Sequence, residues 1–305
     1  MTPDKTGKFG FFCVMGPDEF QMMVNNNCYT NFMGKKTFEF TLEVINEMKI
    51  NAPAKLAAVS QRLSLKSQEP ENWKQMAEKM CILLDDETGI YEQHEGFFNL
   101  PHIDVDAIPV EQFPLYHSWS YDRIYRNDMI KQPDVLMFMF LYNQEFSLEA
   151  KRANYDYYEP RCIHESSLSP SIHSILAAEL GEYEQAYEFF NFSTRLDLDN
   201  YNRNTSEGLH LTSIAAAWMN IVYGFAGMRS DGEILSFNPS MPLQWSEYSF
   251  KIIYHKSVLN VKINSRYSEF KILKGENQKI RIYGREYEIN EKGIAVQTVG
   301  QINRK

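Results

Sequence analysis

The chain has 305 residues, of which 44% are hydrophobic and 23% are charged, and its formal net charge is −9. This length can build one large domain or two ordinary ones, and the composition is typical of a soluble globular protein. The negative charge argues against binding to nucleic acid, whose phosphates require a basic surface.

Neither a membrane span nor a secretory signal is evident. No apolar run reaches the ~20 residues that a spanning helix requires, and the first ten residues, MTPDKTGKFG, contain no apolar stretch. The four cysteines (Cys13, Cys28, Cys81 and Cys162) form no CxxC pair, and the histidines have no regular metal-binding spacing. We therefore expect a cytoplasmic protein with free thiols and without a metal site.

The first motif that could support chemistry is MGPDEF at residues 15–20, where Gly16-Pro17 indicates a tight turn. The turn presents Glu19 beside aromatic residues. A carboxylic acid that is held rigidly and removed from water has a raised pKa, so it can protonate the leaving oxygen in glycosidic cleavage. The same pattern also fits an ordinary helix start with an Asp cap, and the local pattern alone favours that interpretation.

Apolar residues recur at intervals of three and four from about residue 26 to residue 228, which predicts a largely helical region. The predicted helices are 38–50, 54–65, 73–84, 133–141, 148–158, 172–180, 183–192 and 209–225. A long irregular segment, 86–132, interrupts them, and loops of that length are usually functional. Apolar helices joined by polar loops suit an α/α barrel, although the pattern equally fits a generic bundle.

Lys131-Gln132 lies immediately before the helix that Pro133 opens. A lysine and an amide held at a helix start can bind sugar hydroxyls. Standing alone, the pair is better explained as a solvated lysine before a helix.

Two hydroxyl-rich loops lead into later helices. The serine loop, residues 164–169, contains Ser166 and Ser167, and we expect Ser169 to cap the helix that follows. Helix starts attract anions because their N–H groups are unpaired and the helix dipole is positive there. Helix capping without a ligand explains this loop at least as well.

The glycine loop, residues 204–210, has the same character and contains Ser206, Gly208 and His210. Alone it fits a helix cap followed by a core histidine. Together the two loops can clamp one phosphate between two helix N-termini, with His210 supplying a charge or a donor.

After Gly232 the pattern changes to alternating apolar and polar residues, which predicts strands. The predicted strands are 249–254, 258–263, 269–273, 279–283 and 287–289. Turn-like segments at 274–277 and 290–293 separate the later strands, and the proline-containing segment 237–245 reads as a linker.

Four of these segments, in this order, resemble glycoside hydrolase family 65, which includes maltose, kojibiose, nigerose and trehalose phosphorylases. They are VMGPDEFQMMVNNNCYTNFM, KQPDVL, YYEPRCIHESSLSPSIHSILAAELG and NTSEGLHLTSIAAAWMNIVYGFAGM. The resemblance implies a mainly α protein, with the C-terminal half of an (α/α)6 barrel in residues 1–230 and a small antiparallel β-sandwich in residues 231–305. The family's upstream sandwich and its Trp-Asp sugar motif have no counterpart here, so the chain is expected to be truncated or incomplete.

The resemblance also implies a role for each motif. Glu19 would be the general acid, and Lys131 and Gln132 would bind the glucose that is transferred. Phosphate would be bound by Ser166, Ser167, Ser206, Gly208 and His210. The reaction would be an inverting phosphorolysis, in which an α-linked glucosyl disaccharide and phosphate give β-glucose 1-phosphate and a sugar, without a cofactor.

Two other interpretations stay open. An inverting hydrolase would need a second carboxylate to activate water, and Glu165 is the candidate base. Alternatively, the chain is a non-catalytic fragment or assembly partner. A half barrel exposes apolar faces, so we expect either a second chain that supplies the missing half or a homodimer.

Overall fold

The computed structural model describes residues 3–201 and 203–299, and it does not describe the side chain of Glu207. Two units are distinguished by their internal contacts. The first consists of Met1–Ile103 and Tyr121–Ile130, and the second consists of Asp104–Ser120 and Lys131–Lys305. The division into domains at residues 1–230 and 231–305 stays a prediction.

Most of the described chain before residue 226 is helical. The α-helices are α1 (Cys28–Asn51), α2 (Pro53–Leu63), α3 (Glu69–Glu78), α4 (Leu115–Ser118), α5 (Tyr121–Ile124), α6 (Val135–Leu141), α7 (Leu148–Tyr158), α8 (Ser169–Leu180), α9 (Tyr183–Arg195) and α10 (Leu211–Met219), and a π-helical turn, Asn220–Phe225, continues α10. Among residues 3–201 and 203–299, none of the helices combines the length and hydropathy that crossing a membrane requires.

In the first unit, α1 packs against α2 and α3. It begins ten residues earlier than the apolar periodicity predicts because Asn27 caps it: the Asn27 side chain accepts hydrogen bonds from the backbone N–H of Thr30 at 2.9 Å and from its hydroxyl at 2.7 Å. Pro53 then starts α2 directly after α1, at a position where its missing N–H costs nothing.

In the second unit, α8 is the central helix. Eleven of its twelve residues are buried, and it packs against α9, α6, α7, α10 and the π-helical turn. Gly181 ends it with a φ of +85°, a left-handed conformation that glycine adopts at little cost. The helix α8 is therefore surrounded by the other helices of this unit that pack against it.

The expected cap at Ser169 is wrong. Leu168 occupies the cap position of α8 and Ser169 is its first helical residue, with Pro170 in the first turn as predicted. The Ser169 hydroxyl contacts the side chains of Cys162 and His164, so it does not bond to the N–H groups of its own helix.

The strands follow the predicted alternation. They are β1 (Ser236–Phe237), β2 (Glu247–Tyr254), β3 (Ser257–Asn264), β4 (Tyr267–Lys274), β5 (Gln278–Ile282), β6 (Arg285–Ile289) and β7 (Ile294–Gln297). One sheet has the order β2-β3-β4-β7 and is antiparallel throughout. The other has the order β1-β5-β6, in which β1 pairs with β5 in parallel. Side chains of both sheets share one apolar core, where the rings of Phe237 and Phe270 lie 5.0 Å apart. These strands form a small, mainly antiparallel β region, whereas the (α/α)6 barrel stays a prediction.

A half-buried ion cluster fixes the C-terminal end of α8. The Glu179 carboxylate accepts from Lys151 Nζ at 2.7 Å, from Arg229 Nη2 at 2.7 Å and from Asn143 Nδ2 at 2.8 Å. Burial alone would raise the pKa of Glu179, but the charges of Arg229 and Lys151 outweigh it and lower that pKa. The cluster ties α7 and α8 to the segment that enters the strands.

We predict that Glu179→Gln lowers the free energy of unfolding by about 3–5 kcal/mol, because Lys151 and Arg229 would remain buried without their counter-charge. Glu247→Gln is the matched control, since it removes an exposed pair with Lys262 and should cost less than about 1 kcal/mol. Urea unfolding of both variants measures the difference. Equal losses would contradict the prediction.

Candidate functional site

The predicted turn around Glu19 is closed by backbone pairing. Val14 and Val24 exchange hydrogen bonds of 3.0 and 2.9 Å, which makes residues 14–24 a short loop with Glu19 near its tip. The loop belongs to the first unit. Its ends are therefore fixed, and the acidic pair is held between them.

Asp18 is fully buried and anchors the turn. Its Oδ1 accepts from the backbone N–H of Phe20 at 3.1 Å, and its Oδ2 accepts from Gln93 Nε2 at 2.8 Å. A buried carboxylate is tolerated only when such donors replace water. Asp18 therefore positions the turn.

Gln93 and His94 hold this turn from a distant part of the chain, and sequence reasoning missed them. His94 Nε2 lies 3.0 Å from Gln21 Oε1, and Gln21 Nε2 donates to the backbone oxygen of Asn127 at 2.9 Å. Burial lowers the pKa of His94. No spacing or motif marks these residues, because their partners lie more than seventy residues away.

The side chain of Glu19 is exposed. Residues 3–201 and 203–299 therefore do not shield the Glu19 carboxyl group from water in the way that we expected for this acid. The geometry supports a rigidly held carboxyl group that is accessible to a ligand. The assignment of Glu19 as the general acid stays a prediction.

In the second unit, Lys131 and Gln132 precede α6, which begins at Val135 and not at Pro133 as predicted. Gln132 is 4% exposed, and Lys131 Nζ is 5.1 Å from the centre of the Tyr116 ring. An ammonium group over an aromatic face is attracted by the ring quadrupole. Tyr116 therefore orients Lys131, a contact that the sequence pattern did not indicate.

Glu165 is buried beside this lysine. One carboxylate oxygen, Oε1, accepts a hydrogen bond from the backbone N–H of Leu115, the residue before Tyr116. Burial raises the pKa of Glu165 to about 7, although the Leu115 hydrogen bond and the charge of Lys131 each lower it. Lys131, Tyr116 and Glu165 thus form one neighbourhood.

The serine loop is attached to this neighbourhood through Glu165. Ser166 is buried, and its Oγ accepts from the backbone N–H of Leu168 at 3.2 Å. Ser167 is half-buried. This turn precedes α8, as expected for a loop that presents hydroxyls and N–H groups at a helix start.

The glycine loop reaches the same neighbourhood through Asn204, whose Nδ2 donates to the hydroxyl of Tyr116 at 3.4 Å. Ser206 is exposed, and Gly208 has a φ of +130°, which a larger residue adopts only with strain. His210 lies at the N-terminal cap position of α10. Its Nδ1 is 2.5 Å from Asp197 Oδ1, so the imidazole faces a carboxylate.

The structure therefore brings three of the predicted segments together around Tyr116: Lys131-Gln132, the serine loop and the start of the glycine loop. Glu19 lies in the first unit, whereas these three segments lie in the second. A single phosphate shared by Ser166, Ser167, Ser206, Gly208 and His210 stays a prediction.

Comparison with known proteins adds the family context. A family model described as "Glycosyl hydrolase family 65 central catalytic domain" matches residues 2–219, and one described as "Glycosyl hydrolase family 65, C-terminal domain" matches residues 228–289. An alpha,alpha-trehalose phosphorylase from Thermoanaerobacter brockii is 42% identical over 95% of this chain and 38% of its own length. A maltose phosphorylase from Bacillus subtilis (strain 168) is 41% identical over 92% of this chain and 36% of its own length.

A solved structure described as "Putative kojibiose phosphorylase from human microbiome" is similar with a TM-score of 0.89 and 46% identity. It is matched over 97% of this chain and 39% of its own length. The chain thus spans between a third and two fifths of the length of these relatives.

We predict that Glu165 makes stability fall as the pH rises. Between its ordinary pKa of 4.5 and the folded value of about 7, the unfolded chain has released a proton that the folded chain retains. Each pKa unit corresponds to about 1.4 kcal/mol, so the free energy of unfolding should drop by about 2–3 kcal/mol from pH 5 to pH 8 through this group.

Glu165→Gln should remove this part of the pH dependence, whereas exposed Glu233→Gln should retain it. Urea unfolding of the three proteins at both pH values provides the measurement. A Glu165→Gln variant with the pH dependence of the parent would show that the carboxyl titrates normally in the folded chain.

Proposed function

The chain belongs to glycoside hydrolase family 65, and on that premise we propose that it takes part in inverting phosphorolysis of an α-linked glucosyl disaccharide. The observation that carries the proposal is the neighbourhood around Tyr116 in the second unit. The Lys131 ammonium group lies over the Tyr116 ring, and the buried Gln132 follows Lys131 in the chain. The hydroxyl-rich serine loop is attached there through the hydrogen bond from Leu115 to Glu165. Sugar hydroxyls and a phosphate anion require such donors. The similarity to trehalose and maltose phosphorylases supports this assignment.

The reaction needs a single protein carboxylic acid. Phosphate attacks C1 of the glucosyl group from the face opposite the bond that breaks, so the sugar configuration inverts and β-glucose 1-phosphate leaves. The proposed acid, Glu19, donates its proton to the departing oxygen. The neighbouring Asp18 is buried and accepts two hydrogen bonds, which limits movement of the turn. A turn that moves little favours proton transfer over a short distance.

Lys131 and Gln132 are proposed to bind the transferred glucose. Phosphate is proposed to lie at the helix starts that follow the serine loop and the glycine loop, where Ser166, Ser167, Ser206, Gly208 and His210 can donate hydrogen bonds. Asp197 orients His210 through two hydrogen bonds, one from the ring and one from its backbone N–H at 2.9 Å. The site requires no cofactor beyond inorganic phosphate.

A hydrolase is the competing enzyme class. It would use Glu165 as the base that activates water, at roughly 6.5–9.5 Å from the acid. One oxygen of Glu165 already accepts from Leu115, which assigns this carboxyl a part in holding the segment that carries Tyr116. Phosphorolysis is therefore the better supported of the two reactions.

We further propose that activity requires additional polypeptide. One face of α10 is apolar and exposed: Leu211, Ile214 and Trp218 are 72%, 56% and 47% exposed. Their spacing of three and four residues places them in one stripe, whereas Ser213 and Ala216 on the opposite side are buried. An exposed apolar stripe of this kind normally has a partner.

The proposed occupant of this stripe is polypeptide equivalent to the part of the relatives that this chain does not match, which is more than three fifths of their length. It would reach the stripe either within a longer protein or as a separate chain. A homodimer is the alternative occupant.

The cytoplasmic location also stays a prediction.

We predict that disaccharide cleavage depends on phosphate and on Glu19. The chain would be co-expressed with the unmatched part of the Bacillus subtilis maltose phosphorylase and assayed on maltose, kojibiose and trehalose, with and without phosphate. Glu19→Gln should reduce the rate by about 10²–10⁴-fold, because no other group would protonate the leaving oxygen. Exposed Glu87→Gln in the same unit should retain activity. Cleavage that is indifferent to phosphate would identify a hydrolase.

We predict that Leu211→Glu/Ile214→Glu prevents complementation while the chain remains folded, because charges cannot be buried against an apolar partner. Thr212→Glu, at an exposed polar position of the same helix, should complement normally. Co-purification and light scattering provide the readouts. A dimer of the chain that the double variant dissociates would identify a second copy as the occupant and contradict the proposal.

A further inference from the structure

Three side chains with metal-binding atoms meet in the second unit, apart from the residues assigned above. They are Cys162 and His164, which precede α8, and His173 in its second turn. Their ligand atoms all lie within 4.8 Å of one another. Cys162 Sγ and His164 Nδ1 are 3.7 Å apart. This grouping was not expected, because the spacing 162, 164, 173 matches no common zinc motif.

The hydroxyl of Ser169 lies between the three side chains. Its Oγ is 3.0 Å from Cys162 Sγ, 2.8 Å from His164 Nδ1 and 3.4 Å from His173 Nδ1. His173 Nδ1 also donates to the backbone oxygen of Ser169 at 2.9 Å, which leaves Nε2 as the metal-binding atom of His173. The Ser169 hydroxyl is thus held mainly by the side chains of Cys162 and His164. This explains why Ser169 does not cap its own helix.

The backbone at His164 is bent to make this arrangement. Its φ of +52° is in the left-handed region, which costs a non-glycine residue on the order of 1 kcal/mol. The bend places the His164 ring beside the thiol of Cys162, two residues earlier. Such strain persists where the surrounding structure holds it, and it is concentrated at functional sites.

The ligand types indicate zinc. Zn–S bonds of about 2.3 Å and Zn–N bonds of about 2.0–2.1 Å at a tetrahedral angle separate sulfur from nitrogen by about 3.6 Å. The observed separation of 3.7 Å agrees with this value. A thiolate with two imidazoles favours Zn²⁺ over Mg²⁺ or Ca²⁺, which prefer oxygen ligands.

The surroundings limit competition from water. Cys162 is 4% exposed and His173 is fully buried, and His173 Nε2 has no hydrogen-bond partner in the part of the chain that the structure describes. The ring of Phe189 lies 4.7 Å from that of His164 and 5.5 Å from that of His173, which closes one side with apolar surface. An apolar shell of this kind limits the access of solvent to the three side chains.

We propose that Cys162, His164 and His173 bind one Zn²⁺ ion, with Ser169 or a water molecule at the fourth position. The Cys162 thiol releases its proton to solvent when the sulfur binds zinc. Bound zinc would tie the serine loop to the second turn of α8. The proposal does not depend on the reaction that the chain catalyses.

The test uses the purified chain after treatment with a chelator. Calorimetric titration with Zn²⁺ should show one equivalent, and titration with Co²⁺ should produce a thiolate-to-cobalt charge-transfer band. Cys162→Ser should weaken Zn²⁺ binding by at least about 100-fold and abolish the band, and His173→Gln should weaken binding to a similar extent. Circular dichroism checks that both variants fold.

Cys13→Ser is the matched control, because Cys13 is the exposed cysteine in the described chain and the one most able to bind zinc adventitiously. This variant should bind Zn²⁺ like the parent. The proposal is overturned if the parent gives no charge-transfer band, if Cys162→Ser retains parental affinity, or if Cys13→Ser alone loses binding. If the Cys162 and His173 variants do not fold, the comparison of the cobalt spectra of the parent and of Cys13→Ser decides the matter, because a band that survives in Cys13→Ser comes from a buried cysteine.

Discussion

The second unit depends on satisfying the polar groups of one buried helix. Eleven of the twelve residues of α8 are buried, and Ser171, Ser174 and Glu179 are among its polar side chains. Ser174 donates to the backbone oxygen of Ala186 at 2.7 Å, and Ser171 donates to Ser193 at 3.1 Å, so both bonds join α8 to α9. Because an unpaired polar group in such a place costs about 1–3 kcal/mol, these partners fix where α8 lies. The serine loop at its start is positioned as a consequence.

In the first unit, a buried polar group also fixes the backbone, at the turn that carries Glu19. Two adjacent acids differ in environment: Asp18 is fully buried and bonded, whereas Glu19 is exposed. The buried acid fixes the backbone, and the exposed acid is left accessible. Gln93 and His94 complete this arrangement from a segment that also pairs with the start of α1, where the N–H of Cys28 donates to the Gln93 backbone oxygen at 2.8 Å. The rigidity of the candidate acid therefore derives from residues that carry no chemistry themselves.

Local patterns in the sequence predicted most of the local elements, but the prediction of a helix at 73–84 is wrong for its second half, because α3 ends at Glu78. The predicted helix 148–158 has the observed bounds, and each predicted strand lies within two residues of an observed one, because apolar periodicity reports burial directly. Strands β1 and β7 were not predicted, since two to four residues are too few to show alternation. The predicted helix 209–225 instead ends as a π-helical turn, a detail that periodicity does not resolve. Contacts between distant segments could not be predicted from local patterns. The roles of Tyr116, Gln93 and His94 depend on partners that come close only when the chain folds.

The segment from Cys162 to Ser169 contains two of the proposed zinc ligands and also the serine loop that is proposed to bind phosphate. The covalent chain couples these two sites. His164 is followed directly by Glu165 and Ser166, whose side chains face Leu115 and Leu168, while His164 itself contacts Ser169. The Cys162 thiol also donates to the backbone oxygen of Lys131 at 3.9 Å. An ion that draws Cys162 and His164 together therefore acts on the residues proposed to hold sugar and phosphate. By linkage, any factor by which the proposed zinc ion would change the affinity for the proposed sugar and phosphate ligands is also the factor by which these ligands would change the affinity for zinc. The left-handed backbone at His164 connects the proposed zinc site with the serine loop, because its conformation sets the direction of both the His164 imidazole and the following Glu165 carboxyl group.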